Sequence, residues 1–255
     1  IGSGPSSLLL ASFLDTNKFT VTIYEKNKAA GRKLLVAGKG GLNLTHSEPI
    51  ASFIELYTPT DFLKNALLSF TNDDFRDWLK KIGIPTYTGS RNRGYPEEGI
   101  KPITVINTIL NHLKEKGITF KYEHTFLGWD AQNNLIINNK ITPSNYTVFS
   151  LGGASWRVTG SNGSWLETFQ KKEVTTIPFE ASNCAVNIDW KTIFINKNEG
   201  NPLKNIAITC LGKIQKGEAV ITKFGLEGNA IYALSPQIRA QLKSTKKAKV
   251  YIDFK

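Results

Sequence analysis

Apolar residues in this chain gather in short blocks whose periods alternate between those of helices and strands. Ser7 to Leu14 is an almost unbroken apolar run that reads as a helix. Val21-Thr22-Ile23-Tyr24 is β-branched and aromatic, reads as a strand, and ends on Glu25. Residues 60–83 carry two short helical patterns. Asn72 is the expected cap of the second, with Asp73 and Asp74 in its first turn and Gly83 past its end. Lys101 to Lys116 predicts an amphipathic helix with Ile103, Ile106, Leu110 and Leu113 on its buried stripe, closed by Gly117. A strand over Ile118–Tyr122 follows, then a hairpin over Phe126–Asp130 and Leu135–Asn138. Thr147–Leu151 predicts a buried strand running into Gly152-Gly153, and Ser164–Lys172 a helix. This alternation indicates an α/β fold with a parallel sheet. After residue 173 the texture changes to short β-rich segments: Cys184–Ile188, Ile206–Leu211, Val220–Thr222 and Lys249–Phe254. The expected division is an α/β domain over 1–173 and a β-rich second domain over 174–255.

The candidate chemistry lies in glycine-dense stretches between these blocks. Gly2-Ser3-Gly4-Pro5-Ser6-Ser7 begins like a dinucleotide-binding fingerprint. Its first glycine allows the tight turn out of a strand, the second lets backbone approach a pyrophosphate, and Ser7 stands where a third glycine is usual. The helix that follows turns its N-terminal N–H groups toward such an anion. An ordinary glycine turn is the alternative reading. Glu25, followed by Lys26, falls about twenty residues further on, where an acidic side chain holds ribose hydroxyls and favours an unphosphorylated ribose, as in NAD or FAD. Gly31-Arg32-Lys33 through Gly40-Gly41-Leu42-Asn43 to His46 reads as a loop that brings backbone and positive charge near a phosphate-bearing ligand. It is not a Walker loop, because Lys39 is followed by Gly40 rather than Ser or Thr. Arg91–Gly99 reads as a further turn-rich loop. Gly152 to Gly163 lies at the carboxyl end of an expected strand, where open α/β sheets bind ligands.

Composition narrows the classes. With 255 residues, 40% hydrophobic and 11% aromatic, the chain can bury a core. No apolar run approaches the roughly 18 residues that span a bilayer, so no membrane partner is expected. Two cysteines, Cys184 and Cys210, lack C-x-x-C spacing, which argues against a zinc site or redox dithiol and for a reducing, cytoplasmic setting. The histidines His46, His112 and His124 show no metal spacing, and no metal is expected; His46, after the glycine-rich loop, is the one singled out for test. The net charge of +11 suggests either nucleic-acid affinity or a lysine-rich surface. The absence of methionine and the truncated first strand suggest a fragment that also ends inside its second domain.

Three blocks carry a family resemblance: Gly31-Arg32-Lys33 through Gly40-Gly41-Leu42-Asn43-Leu44-Thr45; Leu151-Gly152-Gly153-Ala154-Ser155-Trp156 through Thr159-Gly160-Ser161; and Gly225-Leu226-Glu227-Gly228 through Tyr232-Ala233-Leu234-Ser235. Together they resemble the YhiN/BaiN-type NAD(P)/FAD-dependent flavoproteins, also called HI0933-like. The resemblance implies a Rossmann-like FAD-binding domain with the beginning of an inserted β-rich domain, and non-covalent FAD. It implies that Gly2, Gly4, Pro5, Ser6 and Ser7 face the pyrophosphate and Glu25 and Lys26 the adenosine ribose. Gly31, Arg32, Lys33 and the Gly40, Gly41, Leu42, Asn43 turn would line the phosphate and flavin side, Phe126 would meet the adenine through its backbone, and Gly152 and Gly153 would close over the cofactor. Ser155, Trp156, Thr159 and Asn43 are candidates for the flavin face by loop position and resemblance.

Three functions follow. The first is an oxidoreductase in which NAD(P)H reduces FAD and the flavin reduces a small organic molecule held between the two domains. The second is an FAD-dependent nucleic-acid (tRNA) modifying protein, motivated by the charge. The third is a non-catalytic FAD-binding protein. The residues identify no catalytic acid or base, substrate, preferred nicotinamide or oligomeric state.

Overall fold

The computed structural model describes residues 1–37, 41–89 and 92–254, and these form two units, Ile1–Ile177 and Pro178–Lys255. In chain order the first contains α1 (Pro5–Phe13), β1 (Thr22–Tyr24), α2 (Arg32–Ala37), β2 (Thr45–His46), α3 (Ile50–Ile54), α4 (Thr60–Ser69), α5 (Asn72–Lys81), β3 (Thr86–Thr88), β4 (Arg93–Pro96), α6 (Pro102–Glu115), β5 (Thr119–Lys121), β6 (Phe126–Trp129), β7 (Leu135–Ile137), β8 (Lys140–Thr142) and α7 (Trp165–Gln170).

The part that positions the site is parallel. β1 pairs with β5 in parallel, Ile23 opposite Phe120. On the other side of β1, the Gly2 N–H donates to Tyr24 O at 2.8 Å. Ile1 in turn donates to Val148 O (2.7 Å) and accepts from the Ser150 N–H (2.8 Å). One residue bonding the two neighbours of its opposite number is the parallel-ladder pattern. The strand expected at Thr147–Leu151 is therefore an extended, partly exposed segment paired through Ile1, and not a buried ladder strand. β6–β7–β8 form an antiparallel meander, one strand more than the expected hairpin, and β2–β4–β3 a second small sheet. The core joins Leu8 and Ala11 of α1, Ile23 of β1, Trp78 and Leu79 of α5, and Val105, Ile106, Ile109 and Leu113 of α6.

Several local expectations are corrected. The cap of α5 is Thr71, one residue before Asn72. Its Oγ1 accepts from the Asp74 N–H, Asp74 Oδ2 accepts from the Thr71 N–H, and this closes a capping box. Asn72 is spared from capping because its amide donates to His46 O and Glu48 O, tying α5 to β2. The buried stripe of α6 is rotated from the expected one. Val105 and Ile109 are buried while Ile103 is 48% exposed, because α6 packs against both α1 and α2. The stretch after Gly31 read as loop contains α2, and the Arg91–Gly99 loop contains β4. The expected Ser164–Lys172 helix is shorter, Trp165–Gln170.

The second unit is an antiparallel sheet of order β13–β10–β11–β12–β9, with β9 (Val186–Asn187), β10 (Pro202–Cys210), β11 (Lys213–Thr222), β12 (Gly225–Glu227) and β13 (Tyr251–Phe254). Ile206, Ile208 and Cys210 alternate onto its buried face. That face is covered by Ala230 and Ile231 of α9 (Asn229–Tyr232) and Ile238 of α10 (Ser235–Thr245); α8 (Thr192–Asn198) packs on β11. These three helices were not expected in a stretch that reads as β-rich. Gly225 has φ +154°, and a Cβ there would collide with Val186 O across the β12–β9 pair.

Two outcomes follow. Gly225→Ala should separate β9 from β12 and destabilise the protein by about 2 kcal/mol or more in chemical denaturation. The Thr71 hydrogen bonds hold the Asp74 carboxyl below its usual range. Its contribution to stability is therefore present above the ordinary carboxylate range and lost as pH falls through the lowered value. Thr71→Ala should flatten that acid limb in a pH series of melting curves; an unchanged limb would remove the assignment.

Candidate functional site

A cleft in the first unit opens where β1, the Gly2–Gly4 turn, α2 and the loop after residue 150 converge. Its lining includes Gly2, Ser3, Gly4, Pro5, Glu25, Lys26, Asn27, Gly31, Arg32, Lys33, Phe126, Gly152, Gly153 and Thr159.

The two fingerprint glycines have different reasons. Gly2 has φ +93°, and a Cβ there would strike Ser150 O, so chain geometry alone requires glycine. Gly4 has φ −75° and ψ 173°, open to any residue, and a Cβ there would have nothing within 4 Å. Neither packing nor backbone conformation demands glycine at 4. The space over it faces the start of α1, where Pro5 occupies the first turn and no side chain caps the helix.

Glu25 is buried at 8% exposure, and its carboxylate accepts four hydrogen bonds. Oε2 receives the Ser3 N–H (3.0 Å) and Ser3 Oγ–H (2.6 Å); Oε1 receives the Asn27 N–H (2.8 Å) and Asn27 Nδ2 (2.6 Å). Asn27 Oδ1 accepts from Arg32 Nη1 at 2.7 Å, and Arg32 Nη2 donates to Val158 O at 3.1 Å. Lys33 Nζ donates to Ser155 Oγ at 2.7 Å. Two cationic side chains thus tie the start of α2 to the loop around residues 152–163. His124 Nδ1 lies 2.6 Å from Tyr122 O; a carbonyl only accepts, so Nδ1 carries the proton. Burial, helped by the Glu25 charge, pushes the Tyr122 hydroxyl up. Behind Phe126, the rings of Trp129, Phe149 and Phe169 pack mostly edge to face, with centroids 5.0–5.5 Å apart.

Not every expected residue reaches the cleft. Ser7 is buried in α1, Ser6 is exposed, and Leu42 sits in the core. Gly41 and Asn43 lie off the cleft, and Gly40 falls outside the described residues. Ser155 contributes through Lys33. Thr159 lines the cleft, but its hydroxyl donates to Trp156 O; Trp156 itself is exposed with φ +61°. His46 lies in β2, 3.6 Å from Glu48 and away from the cleft, whereas His124 lines it. Ser3, Asn27, His124 and Trp165 were missed. Only Ser3 carried a usable signal, as the residue enclosed by the two fingerprint glycines. Among the described residues no group of His, Cys, Asp and Glu could hold a metal, and no helix is long and apolar enough to cross a membrane.

Residues 1–241 match the family model described as the HI0933-like protein Rossmann domain. The chain belongs to that family. HI0933-like membership agrees with the α/β architecture and parallel sheet found here. Relatives include the ribosomal RNA dihydrouridine synthase of Haemophilus influenzae, 24% identical over 243 residues, covering 92% of this chain and 60% of that protein. The 3-dehydro-bile acid delta(4,6)-reductase of Clostridium scindens is 24% identical over 266 residues, covering all of this chain and 63% of that protein. The chain thus spans somewhat under two thirds of the length of these curated relatives. A crystal structure of Thermovibrio ammonificans THI4 is similar over 54% of this chain and 45% of that one, at 16% identity and a TM-score of 0.34.

Proposed function

We propose that this chain forms the FAD-binding part of an NAD(P)H-dependent oxidoreductase that reduces a small organic acceptor. Gly4 carries the reading: a glycine that neither packing nor φ requires, at the uncapped start of a helix, leaves the room a pyrophosphate needs. Its neighbours suit such a ligand. Arg32 and Lys33 supply positive charge, and Lys26, Phe126, Gly152, Gly153 and Thr159 complete the walls. Glu25 shapes the end of the cleft nearest the expected ribose by holding Ser3 and Asn27, which fill its four acceptor positions. A flavin held here would supply two-electron redox chemistry, with a reduced nicotinamide as the proposed reductant. The protein's part is to bind and orient the cofactor. The relatives named as a reductase and as a dihydrouridine synthase support redox chemistry.

A second reading keeps the cofactor and exchanges the acceptor for nucleic acid. The +11 charge and the relative named as a ribosomal RNA dihydrouridine synthase favour it. Phosphate contacts weaken steeply with salt, so RNA affinity that falls sharply between about 50 and 200 mM salt would support it over the small-molecule reading.

The test compares two glycines. Purified wild-type protein should show flavin absorbance and release FAD on heating. Gly4→Val should melt like the wild type yet bind FAD at least about tenfold more weakly, because its side chain fills only the ligand's space. Gly2→Ala should lower the melting temperature itself. A Gly4→Val protein that retains FAD fully, or a wild type that takes up none, would overturn the proposal.

A further inference from the structure

Glu25 and Arg32 both line the cleft, yet they do not pair directly; Asn27 stands between them. Its amide is used at both ends. Nδ2 donates to Glu25 Oε1 at 2.6 Å and Oδ1 accepts from Arg32 Nη1 at 2.7 Å. The partners fix this orientation, since a carboxylate only accepts and a guanidinium only donates. The backbone of Asn27 is also anchored: its N–H donates to Glu25 Oε1, and its carbonyl accepts from the Glu123 N–H at 3.1 Å. Its side chain lies directly under Gly160, where an added Cβ would come within 2.7 Å of Nδ2. The same loop receives Arg32 Nη2 at Val158 O. One neutral side chain therefore touches the end of β1, the start of α2 and the second glycine-rich loop.

We infer that Asn27 is a positioning residue for the cofactor's phosphates: it holds Arg32 in the cleft wall and keeps its charge from being neutralised by Glu25. The inference rests on the FAD reading above. A direct carboxylate–guanidinium pair would be bidentate and would consume the donors and charge that an incoming anion needs. The interposed amide takes one N–H of Arg32 and Val158 takes another, leaving the remaining N–H groups of the fork and the whole positive charge for the cleft. It also completes the hydrogen bonding of Glu25. Few side chains of this length replace it. Alanine does neither job, and aspartate would accept from Arg32 but set a second negative charge against Glu25. Asn27 lines the cleft itself, but the role assigned to it runs through Arg32.

The test is a double-mutant cycle on FAD affinity in the full chain, read by quenching of flavin fluorescence. Asn27→Ala should weaken FAD binding about tenfold or more, and Arg32→Ala by at least as much. The double variant should bind no more weakly than Arg32→Ala alone, because Asn27 works through that arginine. Asn27→Asp should be impaired more at pH 8 than at pH 5, since protonating the new carboxyl removes its clash with Glu25; loss of packing alone would give no such profile. FAD affinity unchanged in Asn27→Ala, or losses that multiply in the double variant, would overturn the inference. A second measurement needs no ligand: hydrogen exchange around Val158–Gly160 should rise in Asn27→Ala. If the wild type took up no flavin, the cofactor reading would fall, and unchanged exchange would show that the bridge fails as well.

Discussion

The first unit depends on a buried carboxylate that is fully hydrogen-bonded. Taking Glu25 out of water costs several kcal/mol unless donors replace the lost hydration. Here Ser3 and Asn27 contribute two donors each, one backbone and one side chain. Satisfying the carboxylate therefore fixes the turn between Gly2 and Gly4 and the chain beyond β1 in one step. The parallel pairing of Ile1, β1 and β5 holds both segments at the same sheet end. The walls of the cleft are joined by the chain's own hydrogen bonds, which lowers the ordering that binding a ligand would require.

The same carboxylate links the two glycine-rich stretches, which lie far apart in sequence. From Glu25 the hydrogen bonds run through Asn27 to Arg32 and on to Val158 O, and Lys33 makes a parallel tie to Ser155. Positive charge on α2 thus anchors a loop 120 or more residues away. The aromatic cluster of Phe126, Trp129, Phe149 and Phe169 packs where α7 meets β6. Trp165 of α7, packed edge to face on Phe169, donates its indole N–H to Gly152 O at 2.9 Å. Apolar packing thus places α7, and polar ties join both α7 and α2 to the loop.

Sequence pattern revealed most of this where the signal was periodic or spaced. The helices over 60–83, α6, the β1 and β5 strands and the Gly2–Gly4–Glu25 spacing were all legible. The failures share a physical cause: tertiary contacts outranked local preference. Asn72 resembles a cap until β2 supplies two carbonyls for its amide, leaving the cap to Thr71. Ile103 belongs to an apolar stripe until α1 and α2 turn α6 toward Val105 and Ile109. Arg32–Ala37 is too short and too closely flanked by glycines to announce a helix. Asn27 carries no signal of its role, because nothing in its neighbourhood in the sequence shows that Arg32 and Gly160 will close on it.

The third resembling block, Gly225 to Ser235, has a structural account of its own. Gly225 lets β12 lie against Val186, Gly228 turns the chain straight into α9 beneath Glu218, and Ile231 and Leu234 complete the core of the second unit. Its residue types are thus explained by packing, as Gly2 is, whereas neither packing nor backbone conformation requires glycine at position 4. Geometry therefore distinguishes two kinds of glycine within one chain. Proteins named for a ribosomal RNA and for a bile acid both align with this chain, so likeness over this domain does not by itself name a substrate.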